Sequence, residues 1–387
     1  MQKRLYAFFQ HMPPFGGASA LRGASVVRGI LEVWSDPDLA VKVFTTTNNP
    51  ANINGVVIAT IQRSEVKNNQ NIYKRVLGEL YLGIVASIRM FVAKEKCDYA
   101  IISSPGYLSA LILSMCARFY RVPYAIDLRD VYPEVYAAAG LLSERSVIYR
   151  VLKSASIKMY TGAEVVVAAT NGIADSVNRI AVDARVKVVY NGFPSSLLSR
   201  ACEKRSRFTV VFHGVLGFFQ DVNTLIKVAE KLELFCIDVV VVGYGRGSEI
   251  IEAYRGSNLI FYGMQPHDKT IEIIEKCHLG LCLRKNDFIS KDSFPVKVWE
   301  YLGLGIPTIV TPRCEAGEFL EQNGCGYQFD SGSVGEMIEK INEIRSNPDS
   351  AFKKSSQARF VAAKFTREET GKTVAFEMKS AFAFSKI

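Results

Sequence analysis

The sequence predicts an α/β protein built from two doubly wound domains, and three observations carry that expectation. The chain has 387 residues, too many for one ordinary hydrophobic core, and two domains of roughly 190 residues are the natural division. Short apolar runs bounded by glycine turns alternate with helical stretches, the pattern of parallel sheets covered by helices. That alternation restarts at Phe208, after basic, irregular sequence from Ser195 to Arg207 that reads as a linker. Apolar residues make up 49% of the chain, enough to fill both cores.

In the first half, residues 5–9 read as a buried strand. The loop His11-Met-Pro-Pro-Phe-Gly-Gly-Ala-Ser19 then leads into a helix running to about Trp34. A strand, a glycine-rich turn and a helix form a common phosphate cradle, because glycine lets backbone approach a ligand. Gly16 and Gly17 supply that turn, although most Gly-Gly pairs are simply turns; His11 reads equally as a polar site group or a structural histidine. Residues 41–45 are a second strand, followed by a polar, asparagine-rich stretch, 48–71, with one apolar patch at 56–61. Two basic amphipathic helices follow, at 73–96 and 144–160. Each is readable as a packed helix with a solvated basic face or as a membrane-surface element. Between them, strands at 100–103 and 123–127 flank a helix at 107–120. The second of these strands ends in Asp127-Leu-Arg-Asp-Val-Tyr-Pro-Glu134. Ligands of open α/β sheets gather at carboxyl strand ends, so Asp130 and Glu134 are site candidates, with an Asp130–Arg129 ion pair as the bland alternative. Pro133 argues against a plain helix start there. Strands at 165–168 and 186–189, with a helix to Ile180 between them, complete the first domain.

In the second half, a strand at 208–212 runs into the turn His213-Gly-Val-Leu-Gly217 and a helix at 221–232. Val239 to Val242 and the glycine loop Gly243-Tyr-Gly-Arg-Gly247 repeat the strand-turn-helix motif, although G-x-G-x-G alone is a weak nucleotide fingerprint. Residues 259–264 and 279–283 are further strands, and 318–328 finish the sheet. The chain is then mostly helical and charged, ending in an amphipathic helix at 366–384.

The organising stretch is Asp292-Ser-Phe-Pro-Val-Lys-Val-Trp-Glu-Tyr-Leu-Gly-Leu-Gly-Ile-Pro-Thr-Ile-Val-Thr-Pro312. Phe294-Pro295 opens a helix where proline's missing N–H costs nothing, Gly303 and Gly305 close it, and Pro307 helps start a short strand. Lys297 and Glu300 are three residues apart and share a helix face, while Val298, Trp299 and Leu302 can turn to the sheet, so the polar pair is expected to point away from the core. The free N–H groups at the helix start favour an anion such as a phosphate. Taken alone, K-x-x-E would be an exposed pair contributing a few tenths of a kcal/mol.

Composition narrows the partners. The formal charge is +9 and the pI about 9.0, which predicts attraction to phosphates or an anionic membrane, with nucleic acid as the competing partner. Eight cysteines include no C-x-x-C pair and no accompanying histidine cluster, supporting neither a zinc site nor a disulfide framework and favouring a reduced, cytoplasmic protein. The apolar run after the basic first residues is too short and too soon broken for a signal peptide to be expected, and no apolar run reaches the ~18 residues needed to span a bilayer, so membrane contact is expected to be peripheral. Asp36-Pro-Asp38 reads as a turn rather than a metal-binding acidic pair, and no metal or other cofactor is expected.

The span from Asp292 over seven residues to Glu300, with the glycine-proline exit, resembles the E-x7-E signature of the retaining family 4 glycosyltransferases, here with aspartate as first acid. The wording P-V-K-V-W-E-Y-L-G-L-G-I-P, with R-D-V-Y-P-E at 129–134, is most similar to the bacterial branch that transfers sugars during O-antigen and capsule assembly. The resemblance implies the GT-B fold, two Rossmann-like domains facing a central cleft. It divides the chain into an acceptor domain at 1–192, a nucleotide-sugar domain at 193–365 and a helix at 366–387 crossing back to the first domain. It implies a UDP-linked donor, with GDP left open, a sugar that includes N-acetylated hexosamines among its candidates, and a lipid-linked or glycan acceptor. The expected place is the inner face of the cytoplasmic membrane, reached through the basic helices, with no nucleic acid partner. By the same resemblance Glu300 holds the ribose hydroxyls and Asp292 approaches the transferred sugar, with Lys297, Asp130 and Glu134 the other candidates for chemistry. Phe294, Pro295, Val296, Gly16, Gly17, Gly243, Gly245, Arg284 and Met264 fall around the donor. The chain departs from the family at the 213–217 turn, where an Arg and a Lys usually grip the diphosphate and neither is present; Lys297, Arg284 or Lys285 and helix N-termini are left to do so. A GT-B sugar-nucleotide epimerase is the nearest enzymatic alternative, and a non-catalytic membrane-surface scaffold with a vestigial donor site the alternative of another class.

Overall fold

The computed structural model describes residues 2–14, 17–34, 38–61, 72–200 and 202–384. The chain forms two units, residues 1–191 together with 367–387, and residues 192–366.

The first unit is a seven-stranded parallel sheet. Its strands are β1 (Lys3–Phe8), β2 (Leu39–Thr45), β3 (Val56–Thr60), β4 (Tyr99–Ser104), β5 (Tyr124–Leu128), β6 (Val165–Ala168) and β7 (Val186–Val188), in the order β3-β2-β1-β4-β5-β6-β7. The order reverses between β1 and β4, and a ligand site in such a sheet lies beyond the carboxyl ends near that reversal. The central strands are buried on both faces, which is why β4, β5 and β6 read as nearly continuous apolar runs.

Two elements differ from what the sequence suggests. The apolar patch inside the asparagine-rich stretch is a real edge strand, β3, paired in register with β2 from Val41↔Val56 to Thr45↔Thr60. Its residues are only half buried, so it lacks the strong apolar signature of its neighbours. Pro133 does not prevent a helix: it is the N-cap of the short helix Glu134–Ala138, so Glu134 is that helix's first residue.

The C-terminal helix Arg367–Phe384 packs against the helix Ala18–Trp34 within this unit. The two backbones meet at glycines. A Cβ on Gly29 would lie 2.3 Å from the carbonyl oxygen of Gly371, and the Trp34 indole N–H donates to the Ala375 carbonyl at 3.0 Å.

The second unit has the same plan with six parallel strands: β8 (Thr209–His213), β9 (Asp238–Val242), β10 (Leu259–Phe261), β11 (Leu279–Leu283), β12 (Thr308–Thr311) and β13 (Gly326–Gln328). Their order is β10-β9-β8-β11-β12-β13, so the reversal falls between β8 and β11. The last part of this sheet is a helix, Glu315–Gln322, followed by the three residues of β13. Gly280 in β11 lets the helix Val296–Gly303 sit down on the sheet: a Cβ there would lie 2.5 Å from the Tyr301 ring.

The glycine contact generates a test. Gly29→Val should destabilise the first unit by about 1–3 kcal/mol through overpacking, measured by urea denaturation. Wild-type stability in this variant would mean that the two helices do not pack as described.

Candidate functional site

The helix Val296–Gly303 begins after Pro295, its N-cap, and ends where Gly305 takes a left-handed φ of 67°. Val298, Trp299 and Leu302 are buried against the sheet, as the spacing requires. Lys297 and Glu300 also share a face, but that face does not point to solvent. Both side chains reach the carboxyl end of β8. Glu300 is 6% exposed, and its two oxygens are taken separately: Oε2 lies 2.8 Å from His213 Nε2, and Oε1 lies 2.8 Å from His267 Nε2. Lys297 makes no exposed pair with Glu300. Its Nζ donates to Gln220 Oε1 at 3.1 Å and stands 3.8 Å from the centre of the Phe212 ring. The reason is that the helix lies over the sheet near the reversal between β8 and β11, so the long side chains on this face meet the end of β8.

Electrostatics follow from burial. For Glu300 burial alone would raise the pKa, but the two imidazoles outweigh it and hold the carboxyl well below the usual range. Burial pushes His213 below the ordinary imidazole value, against the pull of Glu300, so the ring is neutral at pH 7. A carboxylate only accepts, so His213 carries its proton on Nε2 and leaves Nδ1 as a buried atom with no hydrogen-bond partner among the described residues. Burial, helped by Arg284, pulls the Lys297 ammonium down to about 8.

Three glycine loops lie side by side beyond β8, β9 and β10. The Gly214 N–H donates to Val242 O at 2.9 Å, Leu216 N–H to Tyr244 O at 2.7 Å, and Gly243 N–H to Gly263 O at 2.9 Å. A Cβ at Gly243 would lie 1.9 Å from Gly214 O, and one at Gly245, which has a φ of 141°, 2.6 Å from Leu216 O. Both glycines are therefore required by backbone packed on backbone. Gly214 has a φ of 116°, and Lys297 Nζ lies 3.5 Å from where its Cβ would be. The turn that lacks its own Arg and Lys thus has a lysine delivered beside it by another element.

The remaining candidates divide. Arg284 follows β11, is 9% exposed, hydrogen-bonds Ser293 Oγ through Nη1, and stands 5.8 Å from the Phe219 ring centre. Lys285 is exposed over Phe218. Asp292, Pro295 and Val296 are half buried around the helix start. Phe294 belongs to the core: its ring stacks on Trp299 at 4.3 Å and meets Phe319 edge-on at 5.3 Å. Met264 lies past the end of β10 with its side chain 69% exposed. In the first unit Gly17 has a φ of 116° with open space around it, whereas Gly16 lies outside the described residues, as do Asp36 and Pro37 of the Asp-Pro-Asp turn. Asp130 is half buried beyond β5. Glu134 Oε1 is 3.5 Å from the Tyr149 hydroxyl and 3.7 Å from Lys153 Nζ, and its Oε2 is buried without a hydrogen-bond partner among the described residues.

Two groups went unread in the sequence. His213 and His267, two of the chain's four histidines, converge on Glu300 from 87 and 33 residues away. The one available signal was a histidine at a strand's carboxyl end. In the first unit Arg22 and Asp127 form a buried ion pair at 2.8 Å, with Ser103 Oγ on the other carboxylate oxygen at 3.2 Å. Arg22 Nη1 also donates to Val189 O at 3.0 Å and Asn191 Oδ1 at 3.2 Å, tying the end of the unit to the end of β5.

Two Rossmann-like parallel-sheet units define the GT-B class of fold. Residues 201–361 match the family model described as "Glycosyl transferases group 1", and this domain makes the protein a glycosyltransferase. Solved structures share the fold at low identity. HepE of Anabaena in complex with UDP-glucose matches with a TM-score of 0.65 at 16% identity, over 97% of this chain and 99% of that one. The sucrose-phosphate synthase of Thermosynechococcus elongatus matches with a TM-score of 0.72 at 11% identity, over 99% and 100%. WaaG, a glycosyltransferase involved in lipopolysaccharide biosynthesis, matches with a TM-score of 0.67 at 12% identity, over 96% and 98%. No curated protein is similar enough to this chain to match it.

The buried histidine predicts a pH dependence. Unfolded His213 takes up a proton near the ordinary imidazole value of about 6.5, while the folded ring resists it. The unfolded state then binds more protons, and stability falls as pH falls from 7 toward 5. Glu300 adds a loss at lower pH, since the stability from its depressed pKa is present above the unfolded value of about 4.3 and disappears below it. Thermal unfolding across this range should show a shallower decline between pH 7 and 5 for His213→Gln than for wild type; parallel curves would contradict the assignment.

Proposed function

We propose that the protein is a retaining glycosyltransferase of family 4 that moves a sugar from a UDP-linked donor to a lipid-linked or glycan acceptor in bacterial surface polysaccharide assembly. The observation that carries this reading is Glu300. A buried, ionised carboxylate at the sheet reversal, beside a glycine turn and a lysine, is costly in a core and useful for holding a ribose diol. The UDP-glucose bound by the HepE structure supports the choice of nucleotide. The second unit would hold the donor and the first the acceptor.

The charge to be stabilised is that of the departing diphosphate. Lys297, Arg284 and the free N–H groups at the start of the helix Val296–Gly303 would meet it without a metal, as pre-oriented dipoles and cations. Gly243 and Gly245 let the loop backbone approach the nucleotide, and the strand end before Met264 offers backbone to the base. Asp292 is assigned to the hydroxyls of the transferred sugar. Glu134 and Asp130 are assigned to the acceptor, and the unpartnered buried oxygen of Glu134 supports a role in receiving a hydroxyl. No side chain is assigned as a nucleophile, and attack on the same face as the leaving phosphate accounts for retention.

Peripheral docking at the inner face of the cytoplasmic membrane is part of the proposal. Among the described residues no helix is long and apolar enough to cross a membrane. Leu77, Tyr81, Ile84, Ile88 and Val92 are nonetheless each more than half exposed. They repeat along one side of the helix Ile72–Ser87 and the π-helical turn Ile88–Val92 that continues it. Met90 and Phe91, by contrast, are in the core. A second apolar surface, Met115, Val147 and Val151, lies among Arg118, Arg150 and Lys158. Exposed apolar stripes flanked by cations suit an anionic bilayer.

Three outcomes are expected. Glu300→Ala should weaken UDP binding in calorimetry by about 1.5–3 kcal/mol, the range for hydrogen bonds to a charged group; unchanged binding would remove Glu300 from the site. UDP affinity should fall as pH rises through about 8, where Lys297 loses its proton, and Lys297→Ala should abolish that dependence; a flat wild-type profile would contradict the role of the lysine. Leu77→Glu combined with Ile84→Glu should reduce co-sedimentation with anionic vesicles, and wild-type levels of pelleting would exclude that helix from docking.

A further inference from the structure

Glu300 is held on two sides by groups of unequal standing. His213 comes from the end of β8 and is fixed: its side chain is 7% exposed, its ring meets Tyr301 edge-on at 4.8 Å, and its backbone N–H donates to the Tyr301 hydroxyl at 3.2 Å. Tyr301 in turn donates to Val211 O at 3.1 Å, so histidine, tyrosine and strand form one packed block. His267 is the first residue of the helix His267–Ile274, and its side chain is 52% exposed. One carboxylate oxygen therefore meets a buried imidazole, and the other meets an imidazole whose side chain is half exposed.

We propose that His267 is a displaceable cover on Glu300, occupying the carboxylate oxygen that a ribose hydroxyl takes when the nucleotide binds, while His213 is a positioning residue that keeps the carboxylate aimed. The proposal rests on the reading of Glu300 as the ribose-holding acid. Its chemistry is an exchange of donors. A carboxylate accepts only, and an imidazole N–H and a hydroxyl O–H satisfy the same lone pair. Glu300 is thus never left buried and unpaired, which would be costly, in either the free or the bound protein. A ligand without the hydroxyl would evict the imidazole and give nothing back. The cover therefore lowers affinity for every nucleotide while selecting for the intact diol, a specificity obtained by competition.

The sign of one substitution separates this from other roles. If His267 competes with the ribose, His267→Ala binds UDP more tightly, by about three- to tenfold, since a net hydrogen bond of about 0.5–1.5 kcal/mol no longer has to be broken. If His267 contacts the ligand, the same variant binds more weakly, and if it is a surface contact only, affinity is unchanged; either result overturns the proposal. His213→Leu is expected to weaken UDP binding and His213→Gln, which keeps an N–H toward Glu300, to restore most of it. Both are compared at matched folded fraction by near-ultraviolet circular dichroism, and equal binding by the two overturns the positioning role. Calorimetry with UDP on purified full-length protein reads all of these, and Glu300→Gln separates the two levels of inference. If Glu300→Gln binds UDP like wild type, or if no form binds UDP, the donor-site reading fails and the cover with it. If Glu300→Gln weakens binding and His267→Ala does not tighten it, the cover alone fails.

Discussion

The second unit is arranged around the cost of keeping one carboxylate, Glu300, ionised inside a protein. A buried charge without partners would neutralise or destabilise the fold. Here the charge survives because two imidazoles, brought from the end of β8 and from the start of the helix His267–Ile274, each hold one oxygen. That requirement fixes several other features. The helix Val296–Gly303 must lie close on the sheet for Glu300 to reach His213, and Gly280 gives Tyr301 the space to do so. Tyr301 then locks the strand end to the helix through two hydrogen bonds.

The glycine loops serve the same end by different means. Backbone hydrogen bonds between the loops after β8, β9 and β10 leave no room for side chains at Gly243 and Gly245. The result is a low wall of backbone amides and carbonyls beside Lys297. The 213–217 turn carries no cation of its own, and a lysine arrives beside it from a helix about 80 residues later, its ammonium beside Gly214. Positive charge at this turn is thus supplied from a different place in the chain.

Much of this architecture was legible in the sequence. The alternating pattern gave both sheets, because strands buried on both faces must be apolar throughout, and the 292–312 stretch announced a helix and a strand through its proline and glycine punctuation. Some of the detail was hidden for physical reasons. A lysine and a glutamate three residues apart look the same on an exposed helix as in a recess, since spacing defines a shared face but not what that face meets. The histidine partners lie 87 and 33 residues away, and no local rule links them. Phe294 looked like part of the site by position, yet an aromatic beside Trp299 has more to gain from stacking in the core. β3 was obscured because an edge strand needs only a modest apolar signal. The pairing of Arg22 with Asp127 spans 105 residues and connects a helix to a strand end that the sequence marks only with the acid.

The role of Glu300 is tested most directly by whether the protein binds a nucleotide-sugar at all, and which one. Thermal unfolding of the purified chain would be recorded against UDP-, GDP-, ADP- and TDP-linked sugars, since a ligand at a hundred times its dissociation constant adds about 2.7 kcal/mol of stability. A donor site built around Glu300 should give selective stabilisation by UDP-linked sugars. Unfolding that is the same with and without every sugar nucleotide would contradict it.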